Sequence, residues 1–230
     1  MSSLLSTVPK VVTEDLGKIF EKAICLLYNT PYDGKYKYSE DDAERFKLRL
    51  TKLQTLFPKC HHTAKGGALY DFTSDDGTMF LSAKTTKGDA KIAPQYIGQA
   101  TPETFCTRIG IPVMPVPDLK KYIQENIVSI LPLYERYTFS CPTIYYNQKT
   151  DTIKYITKIA DIPWNNYQYV WTKSSDAWAN SSTLKIVTPT KNISILEMQF
   201  HSSSRSNMAV RWCFEDVLVL FKDYLHIELI

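Results

Sequence analysis

The sequence predicts a mixed α/β fold with one central sheet flanked by helices. Apolar residues recur at helical spacing near the N-terminus, two short apolar runs flank an Asp-Gly turn signal, and helical and strand-like segments then alternate. With 230 residues and 44% hydrophobic composition, the chain can form one large domain or two small ones. We expect a single domain over 1–230, with a core half at 14–130 and an elaborated half at 131–230.

Two helices are predicted before the turn signal. Thr13 is a suitable N-cap, and apolar residues recur every three or four positions over 14–28. A second helix is predicted to start at Ser39, with acidic residues in its first turn, and to end at Pro58. Both helices carry an apolar face that can cover a sheet.

The segment 68–85 predicts a β-hairpin, because Asp-Gly between apolar runs is a strong hairpin signal. A two-residue loop at this Asp-Gly would place Asp71 opposite Ser82. Side chains alternate along a strand, so Ser82 and Lys84 share one face. We therefore expect Asp71 and Lys84 to lie on the same face of the sheet.

An aspartate and a lysine on adjacent strands can bind a divalent cation and orient a hydroxide against a phosphodiester. A hard cation such as Mg²⁺ takes oxygen ligands and keeps several of its waters. The same two side chains could also form a solvated ion pair on an open sheet face. The hairpin thus predicts either a metal-dependent hydrolytic site or an ordinary surface pair.

The arrangement resembles the PD-(D/E)XK nuclease superfamily, in which an aspartate precedes (Asp/Glu)-x-Lys on the next strand. Asp71 and Ser82-Ala83-Lys84 occupy these positions. The segment 84–101, KTTKGDAKIAPQYIGQAT, is similar to the one after the catalytic lysine in some type II restriction enzymes. Members commonly carry a glutamate on the preceding helix, which Glu21 fits. Ser82 departs from the signature, since serine cannot supply the anionic oxygen of the second carboxylate.

The resemblance implies a restriction-endonuclease-like core and a Mg²⁺-dependent, sequence-specific endonuclease that cleaves double-stranded DNA. Asp71 would hold the metal with Glu21 and a backbone carbonyl near Ala83. Lys84 would position or deprotonate the attacking water, and Ser82 would contact a metal-bound water. A homodimer is expected, because palindromic sites match two-fold symmetry. Two alternatives remain: a catalytically silent nucleic-acid-binding module of the same fold, and a non-enzymatic interaction protein.

The second half holds most of the predicted DNA contacts. The segment 164–180 combines three tryptophans with amide, hydroxyl and lysine side chains, although the tryptophans would equally pack a long loop. Glu197-Met198-Gln199 resembles a variant Glu-x-Gln motif, but no aspartate stands on a clear partner strand upstream, so the hairpin is preferred. The predicted DNA contacts are Gln95, Gln99, Asn165, Asn166, Lys173, Gln199, His201, Arg205 and Arg211.

The remaining elements follow from periodicity. A short helix or a loop fits 94–105, a helix fits 117–130, and a final helix fits 214–226. Strands are predicted at 143–146, 153–159 and 193–200.

Composition adds several expectations. The five cysteines are scattered without a C-x-x-C pair, which argues against a disulfide framework or a zinc cluster, and His61-His62 is read as part of a polar loop. The net charge of +3 does not by itself indicate nucleic acid. No signal peptide or transmembrane run is recognisable, so we expect a cytoplasmic, reducing location and no membrane partner.

Overall fold

A computed structural model describes residues 13–64, 68–88, 91–201 and 207–230. It confirms the mixed α/β class: a mixed six-stranded sheet is flanked by helices, and a second sheet packs beside it. The first elements in chain order are α1 (Thr13–Tyr28), α2 (Glu40–Arg49), α3 (Leu53–Leu56), β1 (Cys60–His62), β2 (Phe72–Ser74) and β3 (Phe80–Thr86).

The first helix agrees with its prediction, whereas the second is divided. Ser39 caps α2 as expected, since its side chain accepts a hydrogen bond from the Asp42 N–H at 3.1 Å. The chain then turns at Leu50, whose N–H donates to two carbonyls of the last helical turn. Leu50 and Leu53 are both fully buried. The turn lets both leucines enter the core, and helical periodicity does not reveal it.

The hairpin has the predicted register. Phe72 faces Leu81 and Thr73 faces Phe80, so Asp71 comes opposite Ser82. The turn itself differs from the predicted two-residue loop, because the Gly77 N–H donates to Ser74 O at 2.8 Å and Gly77 has a φ of +74°. The register that aligns the candidate site is therefore the one that the sequence specifies.

A long excursion follows the hairpin before the chain returns to the first sheet. It contains β4 (Lys91–Ile92), β5 (Gln99–Ala100), α4 (Pro102–Ile109), α5 (Val116–Glu125) and α6 (Ile127–Phe139). The predicted helix at 117–130 is thus divided at Asn126, where the backbone leaves the helical region (φ −114°, ψ 16°). The chain then enters β6 (Thr143–Asn147), which pairs with β3 in parallel. Such a pairing requires a crossover connection.

The last third completes both sheets. Its elements are β7 (Thr152–Lys158), a 3-10 turn (Trp164–Asn166), β8 (Tyr169–Trp171), β9 (Ser181–Val187), β10 (Asn192–Phe200), β11 (Met208–Cys213), α7 (Phe214–Leu220) and β12 (Leu225–Leu229). The first sheet has the order β1-β2-β3-β6-β7-β12. The second has the order β4-β11-β10-β9-β8, with β5 also paired to β11.

The predicted last helix at 214–226 is too long. It ends at Leu220, and the following residues form β12, which pairs antiparallel with β7. Pairing satisfies the backbone groups along β7, and this gain outweighs local helical preference. Strands β1, β4, β5, β8, β9, β11 and β12 were not predicted. The predicted polar loop at His61-His62 is strand β1, in which His62 is buried. In β12 the sequence Leu-His-Ile-Glu-Leu does alternate, but it was assigned to the end of the predicted helix.

The first sheet separates two apolar cores. Ile144 packs with α1, α2 and α3 on one face, while Tyr145 points into the core shared with α6, α7 and the second sheet. Trp164 and Trp178 are buried in that second core, as the packing alternative expected for the loop. Among the described residues, no helix is long and apolar enough to cross a membrane.

Candidate active site

Asp71 and Lys84 meet as the hairpin register requires. Lys84 Nζ lies 3.5 Å from Asp71 Oδ2, and both side chains are mostly buried, with exposed fractions of 21% and 16%. Asp71 lies just before β2, whereas Lys84 lies near the middle of β3. A lysine held beside a carboxylate at this exposure could donate a hydrogen bond to a nearby water.

Two further groups fix the Asp71 carboxylate. Ser82 Oγ donates to Oδ2 at 3.0 Å, and the Ala83 N–H donates to the same oxygen at 2.8 Å. The Ala83 N–H is available on the β2 side of β3, because β2 begins only at Phe72 and its pairing with β3 does not extend to Ala83. All hydrogen bonds to this carboxylate from described residues reach Oδ2. Oδ1 is therefore the oxygen left for a ligand.

Ser82 connects this carboxylate to a segment beyond the hairpin. The Gln95 Nε2 amide donates to Ser82 Oγ in a short hydrogen bond, and Ser82 is only 1% exposed. The Gln95 N–H donates to Tyr137 O at 3.0 Å, which anchors the segment on α6. Gln95 was predicted as a DNA contact, but its side-chain amide donates to Ser82, the residue at the signature position of the second carboxylate.

The chain at and just before the start of β6 brings two further groups close to Asp71. Thr143 pairs with Ser82 in the parallel register, and its buried hydroxyl finds no hydrogen-bond partner among the described residues. Cys141 lies close to the charged groups of Asp71 and Lys84. Burial, and to a smaller extent the Asp71 carboxylate, raises the pKa of the Cys141 thiol to about 12. Cys141 is therefore a neutral thiol at pH 7, while Thr143 offers an unused oxygen beside Ser82.

The donor set can be compared with what Mg²⁺ requires. Mg²⁺ is commonly held by one or two carboxylates together with substrate phosphates and waters. Asp71 supplies one carboxylate, and the hydroxyls of Ser82 and Thr143 supply neutral oxygens. No group of three or more His, Cys, Asp or Glu side chains that could hold a metal occurs within the described ranges. Asp71 alone supplies a carboxylate at this position, so a Mg²⁺ ion held by these residues would keep most of its waters.

The structure does not bring Glu21 to Asp71. Glu21 Oε2 accepts hydrogen bonds from Lys18 Nζ at 3.0 Å and from His62 Nε2 at 3.2 Å. His62 Nδ1 accepts from the Asp33 N–H at 3.1 Å, so Nε2 carries the ring proton and is the donor. Glu21 is buried in this cluster, with Tyr32 stacked on the imidazole at 4.5 Å.

The two carboxylates lie on opposite sides of the first sheet. Leu81 and Ala83 point to the α1 core, and a Cβ on Gly17 of α1 would lie 3.6 Å from Thr85 Oγ1. Ser82 and Lys84 alternate with these residues and point the other way. The metal role of Glu21 stays a prediction, while its contacts are those of a residue that holds α1 to β1.

A second polar network lies farther along the site face of β6. Glu215 of α7 accepts from Asn147 Nδ2 at 2.8 Å and from Lys154 Nζ in a short contact. Burial alone would raise the pKa of Glu215, but these hydrogen bonds outweigh it and lower the pKa. The Tyr145 hydroxyl bonds to Thr86 at 2.8 Å. Tyr145 pairs with Lys84 across the strands, so this network braces the strand that carries the lysine.

The other predicted DNA contacts that the structure describes lie in five places. Gln99 is exposed on β5, Asn165 and Asn166 are exposed in the 3-10 turn, and Lys173 is exposed between β8 and β9. His201 is exposed after β10. Arg211 Nη2 donates to Gln199 Oε1 at 2.5 Å across β10 and β11. Arg205 lies outside the described residues.

Glu197, the alternative motif residue, is buried in the second sheet. Its Oε1 lies 3.2 Å from Lys91 Nζ, and its Oε2 has no hydrogen-bond partner among the described residues. It pairs with Thr183 on one side and Arg211 on the other. A carboxylate between two paired strands is more enclosed than Asp71 at a strand start.

Sequence reasoning missed Thr143 and Cys141 as neighbours of Asp71. Both are distant from the hairpin in the chain, and only the parallel pairing of β3 and β6 brings them near. The strand at 143–146 was predicted, but no local signal identifies the partner of a parallel strand.

The chain is 42% identical over 224 residues to the type II restriction enzyme CviAII of Paramecium bursaria Chlorella virus 1. The matched residues make up 96% of this chain and 64% of that enzyme, so the chain spans less than two thirds of its relative's length. No known family model and no solved structure matches the chain. The chain is thus similar, over nearly all of its own length, to a restriction enzyme.

Proposed function

We propose that this chain is a sequence-specific endonuclease of the type II restriction class, which hydrolyses phosphodiester bonds of double-stranded DNA. The observation that carries the proposal is the distance of 3.5 Å between Lys84 Nζ and Asp71 Oδ2, at the two positions where the nuclease signature has its aspartate and its lysine. The similarity to CviAII supports the same class. Membership of the PD-(D/E)XK superfamily is part of the proposal.

In the proposed mechanism Lys84 acts on the attacking water. Its ammonium group, held beside Asp71, orients the water towards the scissile phosphate and stabilises negative charge that develops there. Ser82 and the Ala83 N–H hold the carboxylate in one orientation, and Gln95 holds Ser82. The positioning of the carboxylate thus depends on neutral donors at the point where the signature has a second acid.

Mg²⁺ is the proposed cofactor. Asp71 would hold it through the oxygen that Ser82 and Ala83 leave available, with the hydroxyls of Ser82 and Thr143 nearby. When bound, the ion supplies positive charge that stabilises the phosphate oxygens during hydrolysis. A single carboxylate predicts weak metal binding, so activity should require more Mg²⁺ than a site with two acids.

Recognition is proposed to involve the second half of the chain, including Gln199, His201 and Arg211. These residues lie on or beside β10 and β11 and offer groups that read base edges. Two copies related by two-fold symmetry would supply one site to each DNA strand. The proposed catalytic half and recognition half share both sheets, since β6, β7 and β12 extend the sheet of the hairpin.

A second candidate is a catalytically silent DNA-binding module, favoured by the absence of a carboxylate at Ser82. Incubating the chain with plasmid DNA, with and without Mg²⁺, distinguishes the two candidates. Discrete fragments that appear only with the metal and disappear in Lys84→Ala support the endonuclease. Retarded but uncut DNA supports the silent module. Absence of both cleavage and binding would overturn both candidates and leave the non-enzymatic interaction protein.

A further inference from the structure

Four side chains form a ladder on the surface next to the candidate site. The Arg108 guanidinium lies over the Tyr96 ring at 4.1 Å, and the Tyr96 and Tyr137 ring centroids are 5.4 Å apart. The Arg136 guanidinium lies 5.2 Å from the Tyr137 ring. We call these four residues the Arg-Tyr ladder. Two cations are thus held at its ends by two aromatic rings.

Gln95 connects the Arg-Tyr ladder to the candidate site by two hydrogen bonds. The Gln95 N–H donates to the carbonyl of Tyr137, and its side-chain amide donates to Ser82. Tyr96 is the next residue in the chain. The ladder therefore lies one residue away from the amide that holds Ser82 beside Asp71.

The backbone fixes the position of Tyr96. Its φ is +62°, in the left-handed region that tyrosine rarely adopts, and the Arg108 guanidinium donates to its carbonyl oxygen in a short contact. A tight turn follows, in which the Gly98 N–H donates to Pro94 O at 3.1 Å. A Cβ on Gly98 would come within 2.4 Å of that oxygen, so only glycine fits. The backbone of Tyr96 is thus held in one conformation, and Arg108 and Tyr137 contact its ring.

The two guanidinium groups also differ from other arginines of the chain. Arg45 and Arg49 form ion pairs with aspartates. Arg108 and Arg136 form none with any carboxylate in the described ranges. Arg136 is exposed and Arg108 is partly exposed, although Tyr96 already stacks on one side of Arg108. Their remaining N–H donors can meet an anion from solution in a fixed orientation.

We propose that the Arg-Tyr ladder binds the phosphate backbone of duplex DNA beside the scissile phosphate. The inference rests on the proposed nuclease function and adds residues that position its substrate. Guanidinium groups bind phosphate oxygens through paired donors, and such contacts set register without reading sequence. Because Gln95 links the ladder to Ser82, DNA held there would lie next to the site that cleaves it.

The experiment measures affinity for a cognate duplex and for a duplex of scrambled sequence, without divalent metal, over a series of salt concentrations. Arg108→Ala and Arg136→Ala should each weaken binding to both duplexes alike, by about tenfold at low salt, and lower the salt slope by about one. The double variant should lower the slope by about two. The matched control is Arg45→Ala on α2, which removes the same charge but should leave the slope unchanged.

The possible outcomes separate the ladder from the nuclease proposal. If wild-type protein binds DNA and the ladder variants keep its affinity and salt slope, the ladder is overturned while the nuclease function stands. A loss confined to the cognate duplex would also overturn it, since that result identifies a base contact. If wild-type protein neither binds nor cleaves DNA, both proposals fail. Unchanged far-ultraviolet circular dichroism and melting temperature establish that the variants are folded.

Discussion

Each of the two sheets has a carboxylate-lysine pair, and the N–O distances of the two pairs are similar. The surroundings of the two carboxylates differ. Lys84 Nζ is 3.5 Å from Asp71 in the first sheet, and Lys91 Nζ is 3.2 Å from Glu197 in the second. Ser82 and the Ala83 N–H hold Asp71, while Oε2 of Glu197 accepts no hydrogen bond from a described residue. The N–O distances do not distinguish the two pairs, whereas the hydrogen-bond donors around each carboxylate do.

The difference follows from where each carboxylate stands on its strand. Asp71 precedes β2, so β3 retains a backbone N–H that the side chain accepts. Glu197 lies inside β10, which is paired on both sides by β9 and β11. A carboxylate that precedes a strand can accept from a backbone donor left unpaired on the neighbouring strand, whereas a central strand such as β10 uses its donors in pairing. The comparison favours the first pair for the proposed catalysis.

Replacing the two lysines should give the largest contrast. Lys84→Ala should lower the cleavage rate by about 100- to 10,000-fold, because the residue acts on the attacking water, while DNA affinity changes only a few fold. Lys91→Ala, the matched control, should keep its cleavage rate within a few fold. Single-turnover cleavage of a defined duplex and a gel-shift titration measure both quantities. Full activity in Lys84→Ala would move the active site away from the hairpin.

Ser82→Ala tests whether the neutral donors around Asp71 matter. The change removes one hydrogen bond to the carboxylate and leaves the partly buried Gln95 amide without its acceptor, which should cost about 1 to 3 kcal/mol of unfolding free energy. Cleavage should fall by about tenfold at fixed Mg²⁺, since the carboxylate loses orientation. Denaturant unfolding and cleavage assays provide the two readouts. Unchanged values in both would show that Ser82 does not hold Asp71.

Glu21→Gln separates a structural role from a metal role. Glutamine can still accept from His62 but loses the charge beside Lys18, so we expect a loss of about 1 kcal/mol in unfolding free energy. Cleavage at limiting Mg²⁺ should stay at the wild-type rate, because Glu21 lies across the sheet from Lys84. A raised Mg²⁺ requirement would instead assign Glu21 to the metal, as the family resemblance implied.

Replacing Lys154 in a third pair, Glu215 and Lys154, should have the smallest effect. The expected effect is a change in how the melting temperature depends on pH. Hydrogen bonds lower the pKa of Glu215 below its usual 4.5 despite burial, so the pair stabilises the fold above that pH. The contribution is lost as the pH falls through the lowered pKa of the folded state. Lys154→Met should therefore melt at a lower temperature than wild type at pH 7, and the difference should shrink in acid. An equal difference at every pH would contradict this linkage.

Local patterns were sufficient for several parts of the molecule. The helix over 14–28, the strands at 143–146 and 193–200, and the hairpin register all appear in the structure. The approach of Asp71 to Lys84 follows from that register alone, because alternation on two short strands fixes which side chains share a face. These features depend on residues that are near in the chain.

Only the tertiary structure decided the surroundings of the pair. Thr143 and Tyr145 reach the site face through a parallel pairing across a long excursion, and β12 forms where a helix was predicted. Helical periodicity predicted that Glu21 lies on α1. The packing of α1 against β1 and β3 determines on which side of the sheet Glu21 lies. The sequence by itself determined the Asp71-Lys84 pair, because its contacts are local. Its neighbours were decided by long-range pairing and packing, which leave no signal in the spacing of nearby residues.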